Sequence, residues 1–327
     1  MIKPFFSLFI LIFIILFVAC GSYENNELTT VKVSEVTRSI FYAPWYVAIE
    51  LGFFEDEGIN IDLITSDGAD RVMTALLTGA VDIGLSGPEA AIYVFNEGLN
   101  DFAVVFAKLT NRDGSFLISR EPIENFTFEY LRDSHILAGR RGGMPYMVLE
   151  YVTRLHGLKY EDLYLDNTIQ FSAMASAFLN GVGDFVTAFE PVASRIELEG
   201  RGYIVASIGE YSGELPYTTF YALSSFIENN PDIIQSFTNA IRRGQRWVQE
   251  NDAKDIANVI YTFFPNIELE ILINSIDRYK QIEAFSSEPY VNRNSFELLQ
   301  DIMQSAGELQ NRADFDILVN NNFAKNY

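Results

Sequence analysis

Two histidines, His135 and His156, and a single cysteine, Cys20, are all that the 327 residues offer to imidazole or thiol chemistry. His135 opens a β-rich run. His156 ends an amphipathic run, where a helix C-terminus favours a cation, so both read as structural. They are too few and too scattered to ligate zinc by spacing. Neither a G-x-S-x-G nucleophile turn nor a G-x-x-x-x-G-K-[ST] phosphate loop occurs. Acidic pairs carry little information, because 44 acids in 327 residues meet by chance. Catalysis is therefore not expected.

Polar and glycine-bearing loops at strand-to-helix junctions offer binding chemistry instead. Ligands of open α/β sheets lie beyond the carboxyl ends of the strands, where helix N-termini present free N–H groups. Four junctions qualify: Ser39 to Trp45, Ser66 to Asp70, Ser86-Gly87-Pro88-Glu89, and Gly139-Arg140-Arg141-Gly142-Gly143-Met144. The first carries Tyr42 and Trp45, on which a flat ligand could stack; Trp45 could equally be core packing of its helix. The second contributes Asp67 and Gly68, the third Ser86 and Glu89. The fourth contributes Arg141, Gly142 and Gly143, its glycines admitting a close approach and its arginines either meeting an anion or standing in solvent. Glu190, in Glu190-Pro191, ends a further strand, and Tyr217 faces either the cleft or a hinge.

These junctions need a scaffold. Strands are expected at Val31–Val36, Ile59–Ile64 and Val81–Leu85, alternating with helices at Ala43–Leu51, Asp70–Thr78 and Glu89–Glu97. The same order returns about a hundred residues later: strands at His135–Ala138, Thr168–Phe171 and Phe185–Phe189, helices at Tyr146–His156, Ala173–Asn180 and Val192–Glu199. Leu77-Thr78-Gly79-Ala80-Val81-Asp82 matches Leu179-Asn180-Gly181-Val182-Gly183-Asp184, each with a glycine suited to end a helix and an Asp opening the next strand. The reading is two α/β lobes, each a mainly parallel sheet flanked by helices. Ser115–Ser119 and Thr218–Ser224 read as crossings between them. From Pro231 onward the chain is helical and should pack on lobe 1. Lobe 1 is thus assigned residues 31–114 and 225–327, and lobe 2 residues 115–224 with both crossing strands.

Residues 1–19 read as a signal peptide: Lys3 precedes Phe5–Ala19, which as a helix spans ~22 Å, too short for a ~30 Å hydrocarbon core. The run ends Phe17-Val18-Ala19-Cys20-Gly21-Ser22, which resembles the lipobox of bacterial lipoproteins and implies lipidation of Cys20. Residues 20–30 are then a polar tether, and the mature chain has no other cysteine. Removing residues 1–19 takes away Lys3 and no acid, moving the net charge from −21 to −22. Such a chain repels nucleic acid. An anionic ligand stays compatible, because charges beyond ~8 Å are screened.

The run Phe41-Tyr42-Ala43-Pro44-Trp45-Tyr46-Val47-Ala48, with Leu51-Gly52-Phe53-Phe54, Glu57-Gly58-Ile59, Ala75 to Gly84 and Phe189-Glu190-Pro191, resembles periplasmic solute-binding proteins of the sulfonate, nitrate and thiamine-pyrimidine-precursor group (the NMT1-like superfamily). The resemblance implies the two-lobed type II periplasmic binding protein fold, interlobe capture of a small molecule, and delivery to an ABC importer permease with its ATPase. It further implies a monomer held outside the cytoplasm by the lipid on Cys20. The pyrimidine-precursor branch stacks its ligand on aromatics and holds it with acidic acceptors, for which Trp45 and Glu190 are the matching positions. The sulfonate and nitrate branch uses backbone N–H groups with basic or hydroxyl side chains, for which Ser86, Arg140 and Arg141 would serve. Related eukaryotic enzymes use a cysteine-rich iron-binding motif and a pyridoxal phosphate lysine. With no cysteine after Cys20 that activity is not expected, and no cofactor or metal is. A thiamine precursor or similar heteroaromatic is the leading ligand. The rivals are an alkanesulfonate, taurine or nitrate in the same role, and a secreted enzyme or a sensor subunit on the same fold.

Overall fold

A computed structural model describes residues 27–325. The signal segment, Cys20 and most of the tether lie outside the described residues. Ten strands follow one another: β1 (Thr29–Glu35), β2 (Ile59–Thr65), β3 (Ile83–Ser86), β4 (Ala103–Thr110), β5 (Phe116–Ser119), β6 (His135–Leu137), β7 (Tyr164–Asp166), β8 (Phe185–Ala188), β9 (Tyr203–Ser207) and β10 (Thr218–Leu223). They build two five-stranded sheets, ordered β2-β1-β3-β10-β4 and β7-β6-β8-β5-β9. In each, one strand runs against the other four, and it is the crossing strand: β10 between β3 and β4, β5 between β8 and β9.

The two lobes repeat each other down to single residues. Gly79 and Gly181 both adopt left-handed φ (70° and 94°), which ends the preceding helix without a Cβ penalty. The Asp that follows does the same work twice. Asp82 accepts from the Lys32 N–H at 2.8 Å and donates its own N–H to the Lys32 carbonyl at 2.9 Å. Asp184 does both with His135, at 2.8 and 2.7 Å. An acidic side chain thereby pins the third parallel strand beside the first.

Three expectations shift. The strand expected at Thr168–Phe171 lies earlier, at β7, because the Asp166 carboxylate accepts from both the N–H and the hydroxyl of Thr168 (2.8 and 2.7 Å) and turns the chain into the helix Phe171–Leu179. β4 and β9 have no counterpart in the sequence reading; β4 is buried along its whole length, so it shows no alternation. And β10, assigned above to lobe 2, is hydrogen-bonded into the first lobe's sheet.

The helix Pro231–Glu250 packs its Ile234, Phe237, Ile241 and Val248 face into lobe 1. Gly244 lets it approach the helix Ala43–Glu50 closely, since a Cβ there would stand 2.3 Å from the Pro44 carbonyl. The helices Leu269–Gln281 and Arg293–Ser305 continue across to lobe 2. No helix among the described residues is long and apolar enough to cross a membrane.

Candidate functional site

The sheets meet at the carboxyl ends of their parallel strands, because both crossings start or finish there: β4 runs through residues 111–115 into β5, and Tyr217 leads into β10. The two connections lie side by side, with Leu215 N–H donating to Asn111 O (3.0 Å) and Ile208 N–H to Ser115 O (3.0 Å). Phe41 is wedged against them. Its ring lies 5.6 Å from Phe189 of lobe 2, 5.7 Å from Tyr217 and 5.2 Å from Tyr279 of the C-terminal region. Phe171 extends this aromatic seam behind Phe189, at 5.8 Å.

Beside the seam stands a group of hydroxyls around one carboxylate. Ser86 Oγ and Tyr221 Oη share a hydrogen bond of 2.7 Å, and Tyr42 and Tyr217 are buried next to them. Burial pushes all three tyrosines up, and the Glu89 charge adds to the effect on each. Glu89 opens the helix Glu89–Asn96 and is 6% exposed. Its carboxyl folds over Gly87, where a Cβ would sit 1.9 Å from Oε2, so the loop needs a glycine to admit it. Glu89 Oε2 has no hydrogen-bond partner. Burial pushes Glu89 up to about 7, with only the Arg140 charge across the cleft and its own backbone N–H pulling the other way. Asp113, in the first connection, is also pushed up to about 7 by burial, although its Oδ1 accepts from the Ser115 N–H at 2.6 Å; its Oδ2, like Glu89 Oε2, has no hydrogen-bond partner.

Tyr42, Ser86, Glu89 and Tyr217 are thus brought together. Tyr93, one turn after Glu89 on the same helix face, donates to the Gly142 carbonyl at 3.1 Å and so places lobe 2's glycine loop opposite them. Arg140 reaches Asp70 of lobe 1 at 3.8 Å but is largely exposed. Arg141 pairs with Glu308 at 2.9 Å, and Gly143 donates its N–H to Arg140 O. Asp67 is exposed, and the Gly68 N–H is bound to Val36 O.

Two of the expected contacts are placed elsewhere. Trp45 is fully enclosed in the lobe 1 core, its ring 5.2 Å from Phe54, 5.4 Å from Phe220 and 5.8 Å from Phe237, and it offers no stacking face to the cleft. Glu190 is buried but already engaged: Oε1 accepts from Arg278 at 2.8 Å and Oε2 from the Ser194 N–H at 2.9 Å, and its own N–H donates to Tyr279 Oη at 2.9 Å. Sequence reasoning passed over Phe41, Tyr93, Phe189 and Tyr221. The i, i+4 spacing of Glu89 and Tyr93 was the available signal for one of them. A separate cavity of about 540 Å³ lies at the outer edge of lobe 1, lined in part by Phe102, Tyr290, Arg293 and Lys325, away from the strand ends that face the second lobe.

No cluster of three metal-ligating side chains exists among the described residues. Residues 40–254 match the family described as NMT1/THI5 like. YtlA of Bacillus subtilis (strain 168), provisionally named as a binding protein, is 44% identical over 312 residues, covering 95% of this chain and 93% of that one. The alkanesulfonate-binding protein of Xanthomonas axonopodis pv. citri superimposes with a TM-score of 0.72 at 13% identity, over 90% of this chain and 99% of that one. The periplasmic nitrate-binding protein of Synechocystis PCC 6803 gives 0.70 at 17%, over 91% and 87%. The chain therefore belongs to the NMT1/THI5-like family and has the two-lobed fold of periplasmic solute-binding proteins.

Proposed function

We propose that this protein is the ligand-capturing subunit of an ABC importer, and that it holds a small heteroaromatic compound of the thiamine-precursor kind between its lobes. The family and the fold support the transport role. The heteroaromatic ligand is supported by one observation: the residues gathered where the lobes meet are tyrosines, phenylalanines and a buried carboxylate. Aromatic faces suit a flat ring, and a carboxylate suits its N–H groups.

An alkanesulfonate, taurine or nitrate fits this lining less well. The cations nearest the cleft, Arg140 and Arg141, are exposed and paired with Asp70 and Glu308. A buried anion without a fixed cation is costly. In the same reading the signal segment is removed and Cys20 carries the lipid that keeps the protein at the outer face of the membrane.

The test is calorimetric titration of the purified protein with aminopyrimidines, taurine and nitrate, alongside mass spectrometry of whatever small molecule co-purifies and of the mature N-terminus. Binding of an aminopyrimidine, with taurine and nitrate inert, is the expected result. Binding of an anion alone refutes the heteroaromatic ligand, and an unmodified Cys20 refutes the anchor.

A further inference from the structure

We infer that closing of the lobes takes up a proton at Glu89, so that mildly acidic surroundings favour the closed form and alkaline ones the open form. The inference rests on capture between the lobes and is independent of which ligand is captured.

Six carboxylates are buried among the described residues: Glu35, Glu89, Asp113, Glu150, Asp166 and Glu190. Four have a basic side chain within ion-pair distance. These are Arg38 for Glu35 (3.3 Å), Arg154 for Glu150, His135 for Asp166 (2.9 Å) and Arg278 for Glu190 (2.8 Å). Neither Glu89 nor Asp113 has one, and each keeps an oxygen, Oε2 and Oδ2, without a hydrogen-bond partner. Both stand where the lobes meet. An ionised carboxylate so placed is costly, and a proton is the smallest thing that relieves it.

The two differ in what covers them. Asp113 is enclosed by the connections themselves. The Leu215 and Ile208 N–H groups tie the second connection to Asn111 and Ser115, on either side of it, and a Cβ on Gly209 would stand 2.1 Å from the Asp113 carbonyl. That cover stays whatever the lobes do. Glu89 opens a lobe 1 helix whose next turn, through Tyr93 Oη, meets Gly142 O (3.1 Å) and Met147 Sδ (3.7 Å) of lobe 2. Parting the lobes takes lobe 2 away from this face and lets water in. The groups facing Glu89 are the phenols of Tyr42, Tyr93, Tyr217 and Tyr221, held neutral by burial, and the exposed Arg140 of lobe 2; Glu35 and Glu308 lie beyond Tyr42 and Tyr93. Burial pushes Glu89 up to about 7 in the closed form, and hydration returns it toward the ordinary 4.5. The closed form therefore holds the proton more tightly. Each pH unit lost between those values shifts the equilibrium toward closure by up to about tenfold.

The test is small-angle scattering of the ligand-free protein from pH 8 down to pH 5.5, above the isoelectric point of about 4.4. Wild type should contract as pH falls. Glu89→Gln, uncharged throughout, should be compact at every pH. Glu89→Asp should still contract, and Asp113→Asn should follow wild type; melting temperatures report whether each variant is folded. Carboxyl-carbon NMR of wild type needs no variant: the Glu89 signal should titrate well above 4.5, and a titration at 4.5 overturns the inference. A net charge of −21 also drives the lobes apart as pH rises. If Glu89→Gln contracts as wild type does, that charge is the cause and the inference falls. It falls too if wild type does not contract, or if Asp113→Asn alone loses the response. None of these outcomes touches the heteroaromatic reading, because no ligand is present.

Discussion

Glu89 and Glu190 occupy related places in the two repeats. Each lies beside a proline at the entrance to the helix that follows the third parallel strand of its sheet. Glu89 follows Pro88, and Glu190 precedes Pro191. That displacement along the chain separates their fates. Glu190 is turned toward the C-terminal helix Leu269–Gln281, where Arg278 bridges it and Glu197 (2.8 and 3.0 Å). Glu89 is turned toward the opposing lobe and has no such bridge. Duplicated architecture therefore yields one carboxylate that fastens the C-terminal region to lobe 2 and one with an oxygen that no hydrogen bond satisfies. The same lesson holds for the aromatic residues. Trp45 packs into the core, while Tyr42, its neighbour three residues earlier, stands with the cleft tyrosines.

The contrast breaks most visibly at Arg278. Replacing it with Met leaves Glu190 fully buried with only the Ser194 N–H and the Ser275 hydroxyl. Removing one partner of a buried pair costs ~3–5 kcal/mol, so Arg278→Met should lower the unfolding free energy in urea by about that amount. Adding Glu190→Gln should recover part of the loss, because no charge is then stranded. A loss under ~1 kcal/mol would mean that Glu190, like Glu89, stands without support.

Glu89 should behave in the opposite sense. Its folded-state value is raised, from 4.5 to about 7, so the folded protein holds the proton more tightly than the unfolded chain. The penalty is absent below about 4.5, builds as pH rises toward 7, and is complete above 7. The interval, at ~1.4 kcal/mol per tenfold, sets a ceiling of roughly 3 kcal/mol. Glu89→Gln should therefore match wild type in urea stability at pH 4.5 and exceed it by about 1–3 kcal/mol at pH 8 without ligand. Asp113 titrates alike in both proteins and cancels from the difference. A variant less stable than wild type at pH 8 would reveal a partner for the carboxylate.

The scaffold was legible where a local rule had a local cause. Gly79 and Gly181, with the Asp residues that follow, disclose the repeat because helix ends and strand starts are fixed by neighbours in sequence. Tyr42, Ser86, Glu89 and Tyr217 could be chosen because strand-to-helix junctions in such sheets converge on one edge. What remained hidden depends on distant partners. In the helix Ala43–Glu50 six of eight residues are buried, so no polar face told core from cleft at Trp45. Nothing near Glu190 announces Arg278, 88 residues away. Phe41 and Phe189 meet only because the sheets abut.

The smallest effect probes the cleft side of the same comparison. Tyr93→Phe removes the hydrogen bond to Gly142 O and a weaker contact with Met147 Sδ at 3.7 Å, both to lobe 2, while the ring keeps its packing and the freed carbonyl reaches water once the lobes part. That bond exists only while the lobes are together, so its loss bears on the closed state alone. A net ~0.5–1.5 kcal/mol should weaken ligand binding by roughly two- to ten-fold, mostly through faster dissociation, because the closed form becomes the less populated one. The melting temperature without ligand should scarcely move. Tyr279→Phe is the counterpart at the other junction: it strands the buried Glu190 N–H, which costs ~1–3 kcal/mol and should lower melting with or without ligand. Stopped-flow dissociation and thermal melts on the two variants should move in crossed fashion. If Tyr93→Phe lowers melting as much as Tyr279→Phe does, the two junctions are equally structural and the Glu89 side is no freer than the Glu190 side.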